Sequence, residues 1–286
     1  MRAQTISVSN LRDFIQSDRA IVCDCRYSLT DPDAGRAAFE GRRIPGAQYV
    51  DLEKDLSGPI TERTGRHPLP DFETWVKTAK RLGLLGNKLV VVYDHGPGVF
   101  AARLWWMLAW MGQDNVALLD GGFSEWSKQN LEVESGDAGS SEFSDTAATE
   151  GSREVSRLRS DAEEILQSLG TDTRLVLDAR EPQRFNGETE PLDKKAGHIP
   201  GAMNRHFALN LQDGCFRPAA ELRREFMQLL GDRDPGQVIH SCGSGVTACH
   251  NLFAMELAGI SGSRLYPGSW SEWIADPARP IETSID

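Results

Sequence analysis

The sequence has no run of about 18 apolar residues, the length a helix needs to cross a membrane. Its strongest apolar stretch, Val99 to Met111, is interrupted by Arg103 and reads as a buried helix. The opening MRAQTISVSN holds no apolar core of the kind an export signal needs. Basic residues are not in excess either: 31 Lys and Arg stand against 42 Asp and Glu, a net charge of −11. Nucleic-acid and anionic-membrane binders present a basic face, so neither partner is expected. Cysteine is scarce and odd in number, with five in 286 residues: Cys23, Cys25, Cys215, Cys242 and Cys249. Without an export signal, that pattern points to reduced thiols in a cytoplasmic setting. Cys23 and Cys25 have no second Cys/His pair at zinc-like spacing and read as packing, with no metal site expected.

What the chain does have is repetition. VVYDHGPGVFAARLWWMLAWMG, from Val91, resembles VIHSCGSGVTACHNLFAMELAG, from Val238. Aligning Gly98-Val99 with Gly245-Val246 also sets GGFSEW, from Gly121, on GSWSEW, from Gly268. Earlier in each half, CDCR ending at Arg26 matches LDAR ending at Arg180, and GRRIPGA from Gly41 matches GHIPGA from Gly197. Four matches in the same order indicate a duplicated domain. Glu134 to Ser152, rich in Gly, Ser, Asp and Thr, lacks the apolar content to pack. The predicted organisation is a domain over 1–135, a linker over 136–152 and a second domain over 153–286.

Each half alternates short apolar runs with helix-like segments. Ile21 to Cys23, Leu89 to Tyr93, Leu175 to Leu177 and Gln237 to His240 read as buried strands. The fold class is therefore α/β, each domain a parallel sheet flanked by helices. Sites in such sheets lie in loops at the carboxyl ends of strands. The loop after Ser241, CGSGVTA, is the candidate. Gly243 and Gly245 permit positive φ, and a tight loop running into a helix near Val246 turns N–H groups towards Cys242. Those donors and the helix N-terminus favour a thiolate there. A phosphatase loop is excluded by Ser241 where it needs His and by Ala248 where it needs a phosphate-gripping Arg. Cys249 reads as packing, as do WWMLAW from Trp105, Trp126 and Trp273.

CGSGVTA, the repeated IPGA, the D-x-R after each first strand and the closing GSWSEW together resemble the tandem rhodanese-domain sulfurtransferases. The loop is most similar to that of the 3-mercaptopyruvate sulfurtransferases. The resemblance covers nearly the whole chain except the linker. It implies two rhodanese-like domains, of which only the second is catalytic. The alignment agrees by placing His95 opposite Cys242. It further implies a small-molecule sulfur donor, a Cys242 persulfide, and a thiol, thioredoxin or cyanide acceptor. No metal or organic cofactor is implied.

Residue by residue, the resemblance carries Ser244, His67 and Glu53 as a proton-handling triad, with Glu where the family has Asp. Substrate contacts fall to the loop residues Gly243, Gly245, Val246 and Thr247, and to Arg184, which matches an arginine that grips the donor carboxylate. Arg180 either supports the loop or pairs with Asp178. The family's second carboxylate-binding arginine has no match: Leu192 stands nearest its place, followed by Lys194 and Lys195. That departure keeps thiosulfate:cyanide transfer open as an alternative. A third reading, from another class, is a persulfide carrier or sensor that delivers sulfur to a protein partner.

Overall fold

The structure, a computed structural model, describes residues 1–137 and 153–284. The linker read over 136–152 lies outside these residues except for its first two positions. The chain packs as two units. The first comprises Met1–Ser57, Pro70–Val155 and Asp213–Phe216; the second comprises Gly58–Leu69, Ser156–Gln212 and Arg217–Asp286.

The first unit holds a five-stranded parallel sheet of β1 (Thr5–Ile6), β2 (Ala20–Asp24), β3 (Gln48–Tyr49), β4 (Leu89–Tyr93) and β5 (Val116–Leu119). Their order is β1-β5-β4-β2-β3. The second unit holds a four-stranded parallel sheet of β6 (Leu175–Asp178), β7 (Met203–Asn204), β8 (Val238–Ser241) and β9 (Arg264–Leu265). Here the order is β9-β8-β6-β7. Strands covered on both faces read as continuous apolar runs, and LVVVY and VALL do so. In the first unit, Val22, Val91, Tyr93, Leu119, Phe123 and Trp126 form one buried cluster. Val176, Ile239, Tyr266, Trp270 and Trp273 form its counterpart in the second. The central helices, Val99–Trp110 and Thr247–Leu257, are buried nearly all round, which explains why neither sequence shows a polar face.

Two of the repeated motifs prove to be one device. Arg26 folds back on Asp24, and its Nη2 donates to the carbonyl of Arg42 at 2.6 Å, just before IPGA. Arg180 does the same with Asp178 and the carbonyl of Gly197, at 2.9 Å. The strand end and the IPGA turn are thus tied by a buried, paired arginine in each unit.

The sheet registers correct the alignment of His95 with Cys242. Tyr93, last in β4, pairs with Asp24; Ser241, last in β8, pairs with Asp178. The next N–H closes on the same carbonyls, Cys25 to Tyr93 at 2.7 Å and Ala179 to Ser241 at 2.9 Å. Asp94, not His95, therefore stands opposite Cys242. The first loop carries one residue more before its Gly-Val, and sequence alignment anchored on that Gly-Val misplaced the extra residue. The Asp94 carboxylate accepts the N–H groups of Gly96, Gly98 and Phe100 at 2.9–3.0 Å. In the first unit the anion-binding loop is thus filled by a carboxylate of the chain itself. Burial pushes the Asp94 pKa up, against the pull of those N–H groups.

Candidate active site

Cys242 leaves β8 directly into the loop and is 1% exposed. Its sulfur accepts the N–H of Gly245 at 3.2 Å. Gly245 has φ +76°, and a Cβ there would lie 2.3 Å from the carbonyl oxygen of Pro267. Only glycine fits that position. Gly243 differs from the expectation: its φ is not positive. Its missing side chain makes room instead, because a Cβ would lie 2.7 Å from Nη2 of Arg66. Val246 caps the helix Thr247–Leu257, and both Val246 and Thr247 follow the loop as the sequence suggested. Cys249 is fully buried, its sulfur donating to the Gly245 carbonyl at 3.3 Å, which suits the packing role.

The helix Ser269–Trp273 clasps this loop. Trp270 N–H donates to the Cys242 carbonyl at 3.0 Å, and Ser271 N–H to that of Gly243 at 2.9 Å. Ser269 is the notable member. Its backbone is left-handed at φ 52°, where the corresponding residue of the first unit is Gly122 at φ 56°. A non-glycine residue in that region costs about 1–2 kcal/mol. Its hydroxyl accepts the Cys242 N–H at 3.1 Å and donates to the Tyr266 carbonyl at 2.9 Å. Strain is therefore tolerated where a hydroxyl fixes the cysteine backbone. Sequence reasoning missed Ser269; the signal was Gly against Ser within otherwise matching GGFSEW and GSWSEW.

Ser244 and His67 meet. Ser244 Oγ lies 2.8 Å from Nδ1 of His67, and both side chains are buried. His67 arrives on the segment Gly58–Leu69, which packs with the second unit. Glu53 belongs to the first unit, where its carboxylate accepts the Tyr27 hydroxyl at 2.5 Å.

A buried ionic cluster flanks the loop. Arg180 pairs with Asp178 and Glu190, and its guanidinium lies over the Trp270 ring at 5.0 Å. Burial opposes its charge, but Asp178, Glu190 and the nearby Cys242 sulfur together push its pKa up. Arg180 is thus a fixed cation beside the loop, held by its partners as the structural reading required. Arg184 pairs with Glu190 at 2.7 Å and with Asp193 at 3.3 Å. Lys194 and Lys195 are exposed. Arg66, unmarked in the sequence, pairs with Asp193 at 2.9 Å.

A model of the rhodanese-like domain matches residues 7–129 and again 161–276. The chain belongs to the rhodanese family. This rhodanese is 44% identical over 286 residues to a probable 3-mercaptopyruvate sulfurtransferase of Pseudomonas aeruginosa, an alignment covering 98% of each chain. It is 37% identical to a putative thiosulfate sulfurtransferase, SseB, of Mycobacterium tuberculosis, over 96% of this chain and 95% of that one. Among solved structures it resembles the 3-mercaptopyruvate sulfurtransferase from Leishmania major, with TM-score 0.83, 30% identity, and coverage of 97% of this chain and 75% of that one. The rhodanese is a sulfurtransferase, most like the 3-mercaptopyruvate enzymes. Among its described residues, no helix is long and apolar enough to cross a membrane.

Proposed function

We propose that this rhodanese takes sulfur from 3-mercaptopyruvate onto Cys242 and passes it to a thiol, thioredoxin or cyanide. The observation that carries the reading is the set of groups around one buried cysteine. A sulfur-facing N–H, a Ser244–His67 hydrogen bond and a guanidinium cluster all border the same loop. In the first half-reaction the Cys242 thiolate attacks the donor sulfur. The bond from that sulfur to carbon breaks, its electron pair stays on carbon as the pyruvate enolate, and a proton completes pyruvate. Ser244 and His67 handle that proton, with Glu53 as the third member in this reading. In the second half-reaction the acceptor attacks the outer sulfur of the persulfide, and the electron pair of the S–S bond returns to Cys242. Arg184 holds the donor carboxylate, while Gly243, Gly245, Val246 and Thr247 shape the pocket and Arg180 braces it. The scarcity and odd number of its cysteines support a reducing, cytoplasmic setting for this reading.

Thiosulfate is the second donor to weigh. Leu192 in place of an arginine and the name of the Mycobacterium tuberculosis relative favour it. Steady-state turnover with each donor, using cyanide as acceptor and Cys242→Ser as control, separates the readings. Cys242-dependent turnover with higher kcat/KM on 3-mercaptopyruvate is the expected result. A thiosulfate preference would replace the donor. A persulfide that forms once and is released only to a protein would turn the enzyme into a carrier.

A further inference from the structure

Cys242 is 1% exposed, yet a donor and then an acceptor must each reach its sulfur. Some covering element has to move. The loop that carries Cys242 is poorly suited to this. It runs straight out of β8, and the helix Ser269–Trp273 holds it by the Cys242 N–H and by the carbonyls of Cys242 and Gly243. The segment Gly58–Leu69 is built differently. The chain leaves the first unit after Ser57 and returns to it at Pro70. The ends of the segment meet, with Gly58 N–H donating to the Pro68 carbonyl at 2.8 Å. A second bond, Thr64 N–H to the Thr61 carbonyl at 3.3 Å, turns its tip. A loop closed at the neck and folded on itself is an Ω-loop. Pro59, Pro68 and Pro70 fix φ on both sides of that neck. The segment can therefore swing as one body.

Its two faces differ. Pro59 to Arg63 are exposed, Ile60 by 68%, whereas Gly65 and His67 are buried. The inner face lies over the two residues that follow Cys242. A Cβ on Gly243 would lie 2.7 Å from Nη2 of Arg66, and His67 Nδ1 is 2.8 Å from Ser244 Oγ. A few contacts latch this face down. Ser271 Oγ accepts the Arg66 N–H at 3.1 Å, and Asp193 accepts Arg66 Nε at 2.9 Å. Gly65 packs so closely that a Cβ would lie 2.6 Å from the Gly268 carbonyl oxygen and 2.7 Å from Ser271 Oγ. Single hydrogen bonds of this kind are weak, and loop motions that break them are fast beside turnover.

We propose that Gly58–Leu69 is a lid over Cys242. Closed, it brings His67 to Ser244; open, it exposes the sulfur to a bulky acceptor such as a protein thiol. The proposal rests on the reading of Cys242 as the sulfur carrier. It is tested in the full chain with two variants that leave Cys242, Ser244 and His67 in place. Ser271→Ala removes the acceptor of the Arg66 N–H, and Gly65→Ala drives the lid off the Gly268 carbonyl. Iodoacetamide labelling of Cys242, read by mass spectrometry of its own peptide, should run about 3- to 10-fold faster in each variant. Low urea should leave that rate unchanged, because a lid exposes little new surface on opening. Discharge of the persulfide to reduced thioredoxin should quicken by a similar factor. The kcat/KM for 3-mercaptopyruvate, which reacts under the closed lid, should not share the gain. Unchanged labelling in both variants, labelling that climbs steeply with urea, an equal gain with 3-mercaptopyruvate, or faster labelling without faster discharge would each overturn the lid. If the parent transfers no sulfur while labelling still follows the latch, the sulfur-carrier reading fails and the lid stands.

Discussion

Ser244 Oγ and His67 Nδ1 lie 2.8 Å apart although 177 positions separate them in the chain. The proposed proton relay needs both members, so the two should behave as a unit. Ser244→Ala and His67→Ala should each lower kcat/KM on 3-mercaptopyruvate by about 10²–10⁴. The double variant should lose little more than the worse single one. Thiosulfate gives up sulfite, which needs no proton on carbon, so its turnover should fall less than about threefold in the same variants. Equal losses on both donors would remove the proton role.

Ser269 separates strain from positioning. Ser269→Ala keeps a side chain in the left-handed region and loses both hydroxyl bonds, so stability should fall by about 1–2 kcal/mol. Ser269→Gly loses the same bonds but relieves the strain, and its unfolding midpoint should stay near the parent's. Sulfur transfer should drop in both variants, because each frees the Cys242 N–H. Parent-like turnover in the Gly variant would show that the hydroxyl does not position the loop.

The two loop glycines should fail differently when replaced by alanine. Gly245→Ala meets the Pro267 backbone and a positive φ together, so it should cost about 2 kcal/mol or more and lower activity with every donor. Gly243→Ala needs no unusual backbone but displaces Arg66. It should leave the thermal midpoint nearly unchanged and raise KM mainly for 3-mercaptopyruvate. Chemical denaturation beside steady-state kinetics on both variants decides the point.

His240 lies on β8 two residues before Cys242, and burial followed by the charge of Arg205 pushes its pKa down to about 3 from 6.5. The unfolded chain therefore takes up a proton that the native state refuses. Stability should fall as pH drops below about 6.5 and keep falling towards 3. Glu164 works at lower pH: burial raises its pKa, but Arg264, Arg174 and Ser160 more than offset that and bring it to about 2 from 4.5. Its contribution is present above about 4.5 and lost as pH falls from there. Between pH 6.5 and 4.5, His240→Gln should thus show a shallower loss of stability than the parent, by up to about 2–3 kcal/mol. Parallel curves of denaturant midpoint against pH would contradict it.

Much of this was legible in the residues. Parallel strands buried on both faces betray themselves as apolar runs, and the duplication made each run readable twice. Cys242 and Ser244 share one short loop, so the motif exposed them, and His67 followed from the resemblance. Arg66 had no such signal: it meets Asp193 across 127 positions, a contact set by tertiary packing. Gly243 reads in the sequence as a conformational glycine, whereas in the structure it leaves space for a guanidinium. Asp94 was misaligned because a one-residue difference in loop length is invisible when the anchor is the Gly-Val beyond it.

That extra residue bears on any attempt to interconvert the two loops. A cysteine set at position 95 would fall one step past the end of the cradle, and one set at 94 would sit in a loop of the wrong length. No single substitution makes the two copies equivalent again; a deletion and a replacement must coincide. The two halves thus differ in loop length as well as in the group that fills the cradle, a carboxylate in one and a thiol in the other.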